Sequence, residues 1–197
     1  MAAPVIYING FPGVGKLTTA RALHSLLPGS QILHNHELID PVEKHCSRGN
    51  PHYQAKRTEY RQARLKPISH DPGFHDTLFI FTDSQSKNNE CVSDYTDLAL
   101  PFGENGGRGF YSVILHCEAE ENETRLVMAG RGEGAGNGKL TDMERLREYR
   151  ARDRIWKFED DDEIEIDITS ISAQAAAERI KGFIEQREKE GRSEHEW

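Results

Sequence analysis

Val5-Ile6-Tyr7-Ile8-Asn9-Gly10-Phe11-Pro12-Gly13-Val14-Gly15-Lys16-Leu17-Thr18 constrains the chain more than any other segment. Val5 to Ile8 is an apolar run that reads as a buried strand. Gly10 to Gly15 is a glycine-rich turn, and Thr19 to Leu27 reads as an amphipathic helix. Strand, glycine turn, lysine and helix in that order wrap backbone N–H groups around the phosphates of a nucleotide. Gly10, Gly13 and Gly15 permit close backbone approach. The helix N-terminus adds partial positive charge. Lys16 is a point charge in reach of the β- and γ-phosphates. Gly10, Gly13, Val14, Gly15, Lys16, Leu17 and Thr18 are therefore the expected nucleotide-binding residues. The usual hydroxyl directly after the lysine, which holds magnesium, is replaced by Leu17. The hydroxyl comes one residue later, at Thr18.

With 197 residues the chain is sized for one domain. We expect a single unit over residues 1–187 with a lid near 125–154, and a polar, frayed tail over 188–197. A net charge of −8 argues against general nucleic-acid or anionic-membrane binding. No apolar run approaches the roughly 20 residues of a membrane helix. The short lead into the first strand leaves no room for a signal peptide. Cys46, Cys91 and Cys117 are odd in number and imply no disulfide framework, so a cytoplasmic setting is expected. His34 and His36 share a strand face, but without a C-x-x-C pair they do not make a structural zinc site.

Further strands are expected at Gln31–His34, Thr77–Phe81, Phe110–Leu115 and Ile164–Ile168. Helices are expected at Glu37–His45, His52–Leu65, Asn88–Leu100, Glu120–Ala129, Asp142–Arg154 and Ala173–Arg187, with a mobile glycine-rich segment from Gly130 to Gly138. Alternation of this kind predicts an α/β fold, a five-stranded parallel sheet with helices on both faces. Ligands of such sheets lie beyond the carboxyl ends of the strands. That rule groups Gly10–Thr18, His34–Asp40 and Thr82–Asp83.

An acid at the end of a nucleotide-binding strand organises magnesium, so Asp83 is the expected metal residue. The alternative is a helix cap. His36, Glu37 and Asp40 can each supply a base near an acceptor hydroxyl, with His34 and Asn35 as hydrogen-bonding partners. Arginines aimed at a phosphoryl group in flight stabilise its spreading charge. Arg125 and Arg131 are the expected pair, flanking the mobile segment with Lys139. Arg145, Arg147, Arg150, Arg152 and Arg154 fit better as a solvated helix with pairs such as Glu144–Arg147 and Glu148–Arg152. The catalytic candidates are thus Lys16, His36, Asp40, Arg125 and Arg131.

The spacing G-x-P-G-x-G-K-x-T resembles the loop of adenylate kinase. The pieces together are similar to the small-molecule kinases of the P-loop superfamily: adenylate, shikimate and gluconate kinases and chloramphenicol phosphotransferase-like proteins. Ile8-Asn9-Gly10 to Lys16 and Leu33-His34-Asn35-His36 with Asp40 also resemble predicted P-loop kinases with an H-N-H-x-x-x-D stretch. The resemblance implies ATP and Mg2+ as cofactors and transfer of the γ-phosphoryl to a small-molecule acceptor. A nucleoside or nucleotide kinase is the alternative within this class, with Arg57, Arg61 and Arg64 as phosphate-pairing candidates. A regulatory ATPase or switch, or a binding protein marked by Leu17, belongs to other classes. No N-K-x-D guanine motif occurs. Residues 47–74 and 84–107 match no motif, which leaves the acceptor open.

Overall fold

The computed structural model describes residues 2–87, 94, 108–128 and 142–193. Five strands, β1 (Ala2–Asn9), β2 (Gln31–His34), β3 (Phe79–Thr82), β4 (Arg108–His116) and β5 (Glu163–Asp167), form one sheet in the order β2-β3-β1-β4-β5. Every pairing is parallel. The α/β class is as expected, and so is the strand count among the described residues.

The apolar runs are explained by burial on both sheet faces. In β1, Val5, Ile6, Tyr7 and Ile8 are all 0% exposed. Ile6 and Ile8 point toward α1 (Lys16–Leu26) and α6 (Ala173–Ser193), where Leu23, Ala176, Ala177 and Ile180 complete one core. Val5 and Tyr7 point the other way, into a second core. There they meet Leu38 of α2 (Asn35–Glu43) and Leu65 and Ile68 of α3 (Tyr53–His70). Helices α4 (Ala119–Val127) and α5 (Met143–Arg152) follow β4.

Several boundaries differ from the sequence reading. Helix α2 starts at Asn35 directly off β2, because His34 serves as its N-cap and Glu37 accepts from the His34 N–H at 3.2 Å. Helix α3 continues through Pro67 to His70, drawn on by the burial of Ile68. Helix α6 runs to Ser193 rather than fraying at 188. Arg187 pairs with Asp162 at 2.9 Å and with Glu190 at 2.7 Å, tying that stretch down. The helix expected at 88–100 lies outside the described residues except for Asp94. The glycine-rich segment, with Arg131 and Lys139, lies outside them as well.

No motif marks Arg108, yet it is only 4% exposed. Its guanidinium donates to the carbonyls of Ala3 and Thr77 at 2.8 Å each, and to that of Phe74. It also lies over the Phe79 ring. A buried cation is tolerated when carbonyl oxygens satisfy its donors. Burial still pushes its pKa down. No helix of the described residues is long and apolar enough to cross a membrane.

Ile6 lies at the centre of the sheet with no exposed surface. Ile6→Ala is expected to lower unfolding free energy by about 2–5 kcal/mol, read by urea denaturation.

Candidate functional site

The chain leaves β1 at Asn9, and that side chain joins three segments. Its Oδ1 accepts from the backbone N–H of Gly10 at 2.9 Å and of Gln85 at 2.8 Å. Its Nδ2 donates to the carbonyls of Gln85 and Trp156 at 3.0 and 3.2 Å. The glycine turn then passes close under β4, where a Cβ at Gly10 would strike the Leu115 carbonyl oxygen. At Gly13, φ is +90°, and a Cβ would lie 2.8 Å from Asn122 Nδ2. Gly15 is the N-cap of α1, so no side chain caps the helix and its first turn carries no acid. The first-turn N–H groups of such a helix are an anion site.

Lys16 folds back across the mouth of this turn. Its Nζ donates to the carbonyls of Gly10 and Phe11 at 2.8 and 2.9 Å, and to Ser84 Oγ at 2.7 Å. Ser84 follows Asp83 at the end of β3. The Asp83 carboxylate is 1% exposed. Its Oδ1 accepts from the Ser84 N–H at 2.7 Å and from Asn35 Nδ2, while Oδ2 accepts from Gln85 Nε2. A carboxylate this buried is tolerated because several donors surround it. The other ends of those amides, Asn35 Oδ1 and Gln85 Oε1, are buried without a hydrogen-bond partner among the described residues.

Lys16, Ser84 and Asp83 face His34, Asn35 and His36 across one cavity of about 1060 Å³. His36 Nδ1 lies 3.4 Å from Asp40 Oδ1, one helical turn behind it. His34 Nε2 lies 3.4 Å from Glu37, whose side chain is turned to solvent. Thus His36 lines the cavity with Asp40 at its back, and Glu37 does not line it. No group of three or more His, Cys, Asp or Glu side chains that could hold a metal occurs among the described residues.

The arginines separate by position. Arg125 lines the cavity, but its guanidinium braces the loop from behind. It donates to the carbonyls of Val14 at 3.0 Å and Ile168 at 2.7 Å, and pairs with Glu121 at 2.6 Å. Arg150 lies over the Phe11 ring at 5.1 Å and donates to Asn122 Oδ1 at 2.9 Å. Asn122 in turn donates to the Pro12 carbonyl at 2.9 Å. Arg147 pairs with Glu123 of α4 at 2.6 Å, not with Glu144 of its own helix. Arg145 alone of the α5 arginines lines the cavity. Arg57 lines it too, whereas Arg61 is buried against Asp94 and Arg64 points to solvent. Ser84, Gln85 and Arg48 line the cavity and Asn122 braces it, without a motif in the sequence; Arg145, read from the sequence as part of a solvated helix, lines it too. The position of Ser84 directly after Asp83 was the available signal for it.

No protein-family model matches the chain, and no curated protein matches it in sequence. Solved structures do match it in fold. A gluconokinase from Sinorhizobium meliloti superposes with a TM-score of 0.62 at 15% identity, covering 98% of each chain. A thymidylate kinase from Candida albicans gives 0.62 at 15% identity, covering 95% of this chain and 93% of that one. A shikimate kinase from Acinetobacter baumannii, in complex with shikimate, gives 0.53 at 16% identity, covering 94% of each. The fold is that of the P-loop small-molecule and nucleotide kinases.

Asn122 is fully buried and braces the loop on one side and Arg150 on the other. Asn122→Ala is expected to cost about 1–3 kcal/mol of stability by leaving those partners unpaired, read by chemical denaturation.

Proposed function

We propose that the protein is an ATP-dependent phosphotransferase that moves the γ-phosphoryl of ATP to a hydroxyl of a small molecule. One observation carries this reading: the uncapped N-terminus of α1, with Lys16, shares a cavity with His36, behind which Asp40 lies at 3.4 Å. One side binds phosphates and the other can take a proton. Kinases of similar fold support the same class of chemistry.

In this reading the loop N–H groups and Lys16 hold the phosphate oxygens. The acceptor oxygen attacks the γ-phosphorus, and the β,γ-bridging oxygen departs with ADP. The acceptor's proton passes to the His36 imidazole, and the Asp40 carboxylate stabilises the resulting imidazolium. Arg145, carried on α5 and lining the cavity, is assigned to meet charge on the transferred group, with Arg131, outside the described residues, as a second candidate. Arg125 serves by fixing the loop.

The donors near Asp83 suit a magnesium ion. The Asp83 carboxylate and the Ser84 hydroxyl are oxygen donors of the kind that ion takes, and the Asn35 and Gln85 amides orient the carboxylate. Mg2+ takes one or two carboxylates and completes its shell from water and substrate phosphates. When bound, the ion neutralises charge on the phosphates. Asp83 would hold it, with Ser84 supplying the hydroxyl absent at Leu17. The free, buried Cys46 and Cys117 support a reducing, cytoplasmic setting.

The test is ADP release from Mg-ATP with and without hydroxylated acceptors. Lys16→Ala should abolish turnover while leaving the fold intact. His36→Asn should lower kcat by about 10²–10⁴ while the KM for ATP is unchanged. Acceptor-independent release that Lys16→Ala abolishes would identify an ATPase instead. Binding of ATP without any release would identify a binding protein.

A further inference from the structure

Helix α5 supplies one wall of the cavity, and Arg150 fastens that wall to the phosphate loop. Asp142, Arg145, Tyr149 and Asp153 line the cavity. They stand three, four and four residues apart, which places them on one face of α5 and its two caps. Leu146 and Arg150 form the next stripe round the helix and do not line the cavity. Successive residues of an α-helix are turned by about 100°, so the two stripes move together. Fixing the second stripe fixes the aim of the first.

Arg150 is half-buried, and its guanidinium meets the loop in two ways. It lies over the Phe11 ring, 5.1 Å from the centroid. Its two terminal nitrogens donate to Asn122 Oδ1 at 2.9 Å and to the Cys117 carbonyl at 3.3 Å. Phe11 lines the cavity, and its carbonyl accepts from Lys16 Nζ at 2.9 Å. Asn122 holds the Pro12 carbonyl at 2.9 Å. A guanidinium can stack flat on a ring and donate in its own plane at the same time, a geometry an ammonium does not offer.

The loop has other braces. Asn9 holds Gly10, Asn122 holds Pro12 and Arg125 holds Val14. Directional ties are fewer on α5. Arg147 pairs with Glu123, but its side chain is 62% exposed, and exposed pairs contribute little. Leu146 is fully buried, yet apolar packing is non-directional. Beyond the helix, the Trp156 N–H donates to the Gln85 carbonyl at 2.9 Å. That bond fixes where the chain leaves α5 without setting the rotation of the helix about its axis.

We propose that Arg150 is a positioning residue for the transfer step. By seating α5 on Phe11 and Asn122 it sets the rotation of the helix, and with it the aim of Arg145 into the cavity. Arg150 meets no reacting group itself. This inference rests on the phosphotransferase reading above.

The experiment compares Arg150→Met, Arg150→Lys and Phe11→Leu with the parent protein. Three readouts are taken: ADP release with a stimulating acceptor, ATP binding by calorimetry, and hydrogen exchange of α5. Arg150→Met keeps an unbranched side chain and removes the guanidinium. It should lower kcat by about 10- to 100-fold, the scale of a small misplacement of a group that meets the transition state. Affinity for ATP should be unchanged, because the loop keeps its other braces. Amide exchange should speed up along α5 and not over Gly10 to Gly15. Arg150→Lys should recover part of kcat, since a cation returns over the ring. Phe11→Leu should also lower kcat, and joining it to Arg150→Met should cost little more, because both remove one contact. Thermal unfolding of each variant controls for folding. Unchanged kcat in Arg150→Met, a loss of kcat matched by lost ATP affinity, or additive effects of the two substitutions overturns the inference and leaves the phosphotransferase intact. A parent protein that binds ATP but shows no acceptor-stimulated release removes the phosphotransferase reading and the inference with it.

Discussion

Asn9 is the constraint on which the site's geometry depends. A phosphate-binding turn must point its N–H groups at the ligand, so its other polar atoms need partners from behind. Asn9 is 0% exposed and bonds Gly10, both backbone groups of Gln85, and the Trp156 carbonyl. One amide thereby ties the start of the turn to the end of β3 and to the segment after α5. Asn122 and Arg125 do the same for the middle of the turn through Pro12 and Val14. Buried polar groups of this kind are costly when unpaired and rigid when paired. A turn held this way is ordered before ligand arrives.

This arrangement explains which features could be read from the chain itself. Strands buried on both faces write themselves as unbroken apolar runs, so β1 and β3 were visible. The glycine turn was visible because its requirements are local. Helix ends were less so: the extension of α6 depends on Arg187 reaching Asp162, 25 residues away in sequence. The bracing residues were hidden for the same reason. Asn122 is 110 residues from Pro12, and only the β1–β4 pairing brings their segments together. Arg125 was visible as a cation near the site. That its donors are committed to the carbonyls of Val14 and Ile168 depends on where β5 ends.

Asp83 carries two readings that draw on the same carboxylate. A capping role and a metal role looked like alternatives, because each uses the same carboxylate oxygens. In the structure Oδ1 accepts from the next backbone N–H, that of Ser84. The amides of Asn35 and Gln85 take further positions on the carboxylate. Each amide leaves its own oxygen buried and unpartnered. The donors on both oxygens hold the buried carboxylate in place at the edge of the cavity.

The substitution of Leu17 for a hydroxyl follows the same logic. In the common loop, one side chain on α1 supplies the oxygen beside the lysine. Here Lys16 Nζ finds that oxygen across the cavity, on Ser84 at the end of β3. The hydroxyl has changed element but not neighbourhood. Nucleotide binding would exchange the lysine's two carbonyl contacts for anionic phosphate oxygens, which are stronger acceptors by roughly a factor of two. Ser84 need not be displaced in that exchange, since an ammonium has three donors. Leu17 lines the cavity without supplying an oxygen, and the Ser84 hydroxyl is the one that reaches Lys16.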